Sequence, residues 1–114
     1  MKFLCLAYGD EERWTALTKT EQEAVLAQDK VIQDRGALVA AVETGVTTVR
    51  AWGGQPPTVT PGPFANLAAS LAGFYVIEAA DLDEVIQLVA KTPCAYARGA
   101  IEIRPIRSTN APSP

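Results

Sequence analysis

Tyr8, Asp10, Arg98 and Glu102 are the residues of this chain best suited to move a proton or hold a charge. Tyr8 ends an apolar run at the start of the chain. Its phenol could orient a ligand or donate a proton; equally, an aromatic at a strand end fills a core or an interface. Asp10, two residues on, could serve as a base at a pocket mouth, or simply close a turn. Arg98 stands before Gly99 at the entry of the run Gly99-Ala100-Ile101-Glu102-Ile103-Arg104. A guanidinium there could clamp a carboxylate or stabilise an enolate oxygen; the plainer reading is a surface arginine. In that run Glu102 and Arg104 alternate with Ile101 and Ile103, so the charges share one strand face and the apolar pair the other. Unpaired charges do not lie against an apolar core. Glu102 and Arg104 therefore form cross-strand or cross-dimer ion pairs, or line a pocket. Trp52, Phe64 and Tyr75 are candidate ligand walls. Large aromatics also anchor dimers, and Phe64 is placed to plug its own turn.

Several chemistries are excluded or made harder by composition. Histidine is absent and there are only two cysteines, so a metal site would need carboxylates, and none is expected. Gly53-Gly54 lacks the lysine and following helix of a phosphate-binding loop, and no cofactor is expected. The net charge of −3, with no basic stripe, argues against nucleic acid and against anionic membrane surfaces. No apolar run approaches the roughly 20 residues of a membrane-spanning helix. The first ten residues lack the long apolar core and cleavage site of a signal peptide. Cys5 lies in an apolar strand and Cys94 in a loop, which is not a disulfide framework and fits a reducing, cytoplasmic setting.

The elements that must position these residues are legible in outline. Residues 3–8 read as a strand ended by Gly9-Asp10, followed by a polar turn and a short connector. Thr18-Lys19-Thr20-Glu21 matches a capping box, with Gly36 as the residue beyond the helix it opens. Ala24, Val25, Val31 and Ile32 draw its apolar stripe, and Gln28, inside that stripe, reads as a half-buried amide with a backbone partner. Residues 38–42 and 46–52 read as strands, Gly53-Gly54 as a turn, and residues 56–60 as a proline-limited edge strand. Pro61-Gly62-Pro63-Phe64 is a fixed turn. Residues 73–78 form the next strand. Asp81, with Glu84 three residues on, caps a helix striped by Leu82, Val85, Ile86 and Val89, which Thr92-Pro93 stops. The last strand is 99–104. Residues 1–106 make one domain and residues 107–114 a loose tail.

This order is β-α-β, an inserted β-hairpin, then β-α-β, an α+β ferredoxin-like arrangement. Its helices cover one face of an antiparallel sheet, and the other face must be buried against something else.

The motifs also resemble a known family, the YCII-related proteins, in the branch named for an Asp-Gly-Pro-Phe motif. The resemblance rests on the opening strand with its Tyr8-Gly9 end, on Pro61-Gly62-Pro63-Phe64, on residues 71–78 followed by Asp81-Leu82-Asp83-Glu84, and on Thr92-Pro93-Cys94 with residues 99–106. It implies a dimeric α/β-barrel in which sheets pair across a two-fold axis, with a pocket between sheet and loops. Some relatives are linked to an Asp–His pair. Here Pro61 replaces the motif aspartate and Arg98 stands where some relatives have histidine, so that mechanism does not transfer.

The expectation is a homodimer with a pocket for a small anionic or carbonyl-bearing organic molecule. Were it an enzyme, Tyr8, Asp10 and Arg98 would carry proton transfer and charge stabilisation, with Trp52, Phe64, Tyr75 and Glu102 as ligand contacts. The rival expectation is a non-catalytic binding or accessory module that kept the fold and lost the chemistry. A shared cavity around Tyr8, Asp10 and Arg98 favours the first. A cavity filled by Trp52, Phe64 or Tyr75 favours the second.

Overall fold

The computed structural model describes residues 1–107, so most of the tail expected over 107–114 lies outside the described residues. Four strands, β1 (Lys2–Tyr8), β2 (Leu38–Ala41), β5 (Leu71–Glu78) and β6 (Ala100–Pro105), form one antiparallel sheet in the order β2-β5-β1-β6. The two longest helices, α2 (Lys19–Asp34) and α3 (Leu82–Val89), follow β1 and β5. That is the expected ferredoxin-like fold. The expected hairpin is β3 (Thr47–Arg50) paired with β4 (Thr58–Pro61) in a separate two-stranded sheet, turning through Gly53 and Gly54 at positive φ.

Both caps form as their sequences dictate. The Thr18 hydroxyl accepts the Glu21 N–H at 3.1 Å while the Glu21 carboxylate accepts the Thr18 N–H at 2.9 Å. Asp81 accepts the Glu84 N–H at 2.9 Å, and Glu84 reaches back to the Ala80 N–H at 2.8 Å. Gly36, at φ 87°, ends α2 in the left-handed conformation that glycine adopts without strain. Gln28 donates to the Leu88 carbonyl at 2.6 Å, tying α2 to α3.

The core lies between helices and sheet. Phe3, Cys5 and Ala7 of β1, Tyr75 and Ile77 of β5, Ile32 of α2 and Val85 and Val89 of α3 are buried there. Burying each of the larger side chains contributes about 1.5–3 kcal/mol. Cys5 packs as a small hydrophobe, and burial pushes its thiol up to about 11. Alternation then sends Leu4, Leu6 and Tyr8, Phe74 and Val76, Leu38 and Ala40, and Glu102 and Arg104 to the open face.

Several expectations need correction. The "polar turn" after Asp10 is a short helix, α1 (Glu11–Thr15), because Asp10 caps it and acidic residues fill its first turn. Thr92-Pro93 does not merely stop a helix. Pro93 sits in the first turn of another, α4 (Pro93–Tyr96), where its missing N–H is harmless, so Cys94 is helical. Trp52 leaves the third strand for a 3₁₀ turn, Trp52–Gly54, and the fourth strand starts at Thr58, beyond Pro56-Pro57. The apolar stripes are narrower than expected: Ala24, Val31, Leu82 and Ile86 are exposed, and the inward lines are Val25–Ile32 and Val85–Val89.

Candidate functional site

The ends of β1 and β6 and the single turn of α4 meet at one corner of the domain. Tyr8, the last residue of β1, emerges on the open face and donates its hydroxyl to Glu102 Oε1 at 2.9 Å; Arg104 donates to the same oxygen at 3.4 Å. Partial burial, then the hydrogen bond to Glu102, raises the Tyr8 phenol above its usual range. Beside it the backbone reverses. Arg98 has φ 62°, the one non-glycine residue at positive φ among the described residues. For a residue with a Cβ this conformation costs roughly 1–2 kcal/mol. Gly99 next to it donates its N–H to the Cys94 carbonyl at 2.9 Å, and a side chain at 99 would collide with the Tyr8 carbonyl oxygen. Glycine is therefore required there by close approach. Among the described residues no carboxylate lies within ion-pairing distance of Arg98. Tyr8, Arg98, Glu102 and Arg13 share a hollow of about 270 Å³, walled on its far side by residues 67–69.

Asp10 is engaged elsewhere. One carboxylate oxygen accepts the Arg13 N–H at 2.9 Å, and the other pairs with the Arg13 guanidinium. Asp10 borders a separate, mostly apolar hollow of about 410 Å³ with Trp14, Leu71 and Cys94. Gln22 fixes the end of α1 by donating to the Trp14 carbonyl at 3.1 Å. Arg13 borders both hollows, so the structure brings Tyr8, Arg98 and Glu102 together and keeps Asp10 on the other side of Arg13.

The remaining candidates are dispersed. Trp52 and Phe64 belong to the hairpin and its turn, are 76% and 74% exposed, and border neither hollow. Phe64 instead carries the Arg50 guanidinium over its ring, 5.2 Å from the centroid. Its turn is held by Gly62, which donates to the Val46 carbonyl at 2.9 Å and accepts the Thr48 hydroxyl at 2.7 Å. Tyr75 points to the helix-covered face, away from Tyr8.

There Tyr75 finds a partner that sequence reasoning passed over. Its hydroxyl donates to Asp29 Oδ1 at 2.6 Å. Burial raises the Asp29 carboxyl above the usual carboxylate range, more than the Tyr75 bond lowers it. Burial and then Asp29 push the Tyr75 phenol far up, and the Cys94 thiol is raised by the same two causes in the same order. Asp29, Tyr75 and Cys94 line a hollow of about 180 Å³ that shares Ala72, Pro93 and Cys94 with the Asp10 hollow. The signal was present: Asp29 stands four residues after Val25 and three before Ile32, on the inward side of α2. Among the described residues no cluster of three His, Cys, Asp or Glu side chains is poised for a metal ion, and no helix is long and apolar enough to cross a membrane.

Residues 1–110 match the YCII-related domain. The chain belongs to the YCII-related family. An uncharacterised protein of Rhizobium meliloti (strain 1021) is 31% identical over 115 residues, spanning 93% of this chain and 92% of the relative. Among solved structures, the chain is similar to 5-chloro-2-hydroxyhydroquinone dehydrochlorinase from Burkholderia phenoliruptrix AC1100, determined with 2,5-dihydroxybenzoquinone. The match covers 94% of each chain, at 18% identity and a TM-score of 0.48. Within this YCII-related chain the family resemblance covers the two sheet edges, the hairpin turn and α4 alike.

Proposed function

We propose that this YCII-related protein is a homodimer that binds a small organic anion, or a carbonyl-bearing molecule, in the hollow beside Arg98. The observation that carries the proposal is Arg98 itself. It is held in a strained left-handed conformation, with no carboxylate partner among the described residues, next to the Tyr8–Glu102 pair. Strained residues concentrate at binding and catalytic sites, where the surrounding structure holds them. The guanidinium offers a bidentate grip on a carboxylate or an enolate.

The dimer is proposed from the uncovered side of the sheet. Leu4, Leu6, Phe74 and Val76 form a continuous apolar surface there, with Tyr8, Glu102 and Arg104 along one edge. The hairpin adds Val49 and Val59, paired across its two strands and each 61% exposed. The radius of gyration is 16.1 Å, against about 13 Å for a compact chain of this length. A second copy would bury both surfaces. Sedimentation at micromolar concentration should give a dimer mass; a monomer would remove this part of the proposal.

In an enzymatic version, Tyr8 moves the proton and Arg98 stabilises negative charge on the reacting oxygen, without metal or bound cofactor. A non-catalytic binding module is the second reading, and the engagement of both Asp10 oxygens by Arg13 favours it. Arg98→Gly tests the site. It removes the guanidinium and relieves the backbone, so the variant should be more stable than the natural protein by roughly 1 kcal/mol. It should also bind benzoate at least tenfold more weakly, read from amide shifts of Gly99 and Ala100. Unchanged benzoate affinity would take Arg98 out of the site. If a turnover is found, Tyr8→Phe should abolish it and spare binding.

A further inference from the structure

We infer that the groove on the helix-covered side, with Asp29 and Tyr75 at its floor, is a second binding site. It takes a neutral, ring-sized molecule bearing a hydroxyl group, and Asp29 accepts the hydroxyl hydrogen. With the hollow beside Arg98 the site shares Arg13 alone, at the far end of its larger chamber.

A carboxylate on the inward line of α2, among Val25, Ile32, Val39 and Tyr75, is an expensive choice for an anchor, since an amide would hold the Tyr75 hydroxyl equally well. Tyr75 occupies Oδ1 alone. Among the described residues no buried side-chain oxygen lacks a hydrogen-bond partner. Oδ2 has no donor among the described residues and is accessible, and Asp29 lines the small hollow. With Tyr75 on Oδ1, the carboxylate keeps free lone pairs on Oδ2 for a donor that is either water or a ligand displacing it.

The surroundings define what carries it. The small hollow is lined by Ala7, Val39, Ala41, Gly73 and Cys94 and leads past Cys94 and Pro93 into the larger one under Trp14. Together their volumes suit one ring with a modest substituent, and their walls suit an apolar one. A side chain at 73 would collide with the Ala40 carbonyl oxygen of the paired strand, so strand pairing requires glycine there, and its lack of a side chain leaves the hollow unfilled at that wall. The groups facing Asp29 are the Tyr75 phenol and the Cys94 thiol. Both are pushed upward and stay neutral across the working range, and the cation bordering the larger hollow, Arg13, is already paired with Asp10. An anionic ligand is repelled by ionised Asp29, whereas a hydroxyl donor is attracted to it.

The test uses three probes on the full-length protein: phenol, anisole and benzoate, followed by amide chemical shifts. Phenol should shift Ala72, Gly73 and Cys94. Anisole, which has the ring and no donor, should shift them at least about tenfold more weakly, the usual worth of a hydrogen bond to a charged group. Asp29→Asn keeps the Tyr75 bond and should lower phenol affinity by a similar factor. Phenol binding by the natural protein should weaken as pH falls through the Asp29 titration, and this dependence should vanish in Asp29→Asn. Benzoate should leave these amides unmoved. Phenol and anisole binding alike, phenol binding unaffected by Asp29→Asn, or no shift at Gly73 and Cys94 would each overturn the assignment. Because benzoate at Arg98 reads other amides, failure of one site is distinguishable from failure of the other.

Discussion

The domain contains two tyrosine–carboxylate pairs built from nearly the same parts and set in opposite surroundings. Tyr8 donates to Glu102 across the neighbouring strands β1 and β6 on the open face, with Arg104 beside the carboxylate. Tyr75 donates to Asp29 from β5 into α2 on the covered face, and among the described residues no cation pairs with that carboxylate. The first pair is wetted and its charge is shared with a guanidinium. The second is half-buried among aliphatic side chains, and its carboxyl titrates above the ordinary range. The same hydrogen bond is therefore a surface tie in one place and a poised acceptor in the other. Local dielectric and neighbouring charge make the difference.

The largest expected effect breaks the covered pair. Tyr75→Phe leaves the Asp29 carboxylate half-buried without its donor and should destabilise the protein by about 1–3 kcal/mol in urea unfolding. A change near zero would mean that water already satisfies Asp29. A smaller effect, with a diagnostic sign, comes from Asp29→Asn. The folded-state pKa of Asp29 is raised, so its contribution to stability is full below the unfolded value of about 4 and is lost as pH rises through the folded value. Asparagine avoids that loss. The variant should match the natural protein near pH 3 and exceed it increasingly above pH 4, levelling once Asp29 is fully ionised. A pH-independent difference would show that Asp29 is not raised. The smallest effect is on the open face, where Tyr8→Phe removes a solvent-exposed bond and should change stability by less than about 0.5 kcal/mol. A larger loss would place Tyr8 in a dry interface.

What could be read in advance follows the range of the forces involved. The capping box at Thr18–Glu21 and the Asp81 cap on α3 were legible because the bonds that make them lie within four residues. The alternation that puts Glu102 and Arg104 opposite Ile101 and Ile103 was legible because strand geometry imposes it. The short helices α1 and α4 were not, since five and four residues carry too little periodicity to announce a helix. The meeting of Tyr8 with Arg98 depended on the β1–β6 pairing, which the fold class supplies. The separation of Asp10 depended on Arg13, three residues away, capturing it, and the sequence offered a base and a cap with equal force. That Trp52 and Phe64 lie apart from both hollows was not legible, because nothing local says which way a hairpin leaves its sheet. Asp29 was hidden by its company: with Lys30 and Asp34 beside it, it looks like one more charge on a solvated helix face.

The one turn of α4 is shared architecture. Its Cys94 and Pro93 wall the two connected hollows on the covered side, while Arg98 and Gly99 just beyond it wall the hollow beside Tyr8, and the Gly99 N–H ties the turn back to the Cys94 carbonyl. Seven residues of chain, 93–99, thus serve hollows on both faces, and an insertion or deletion within them would disturb both at once.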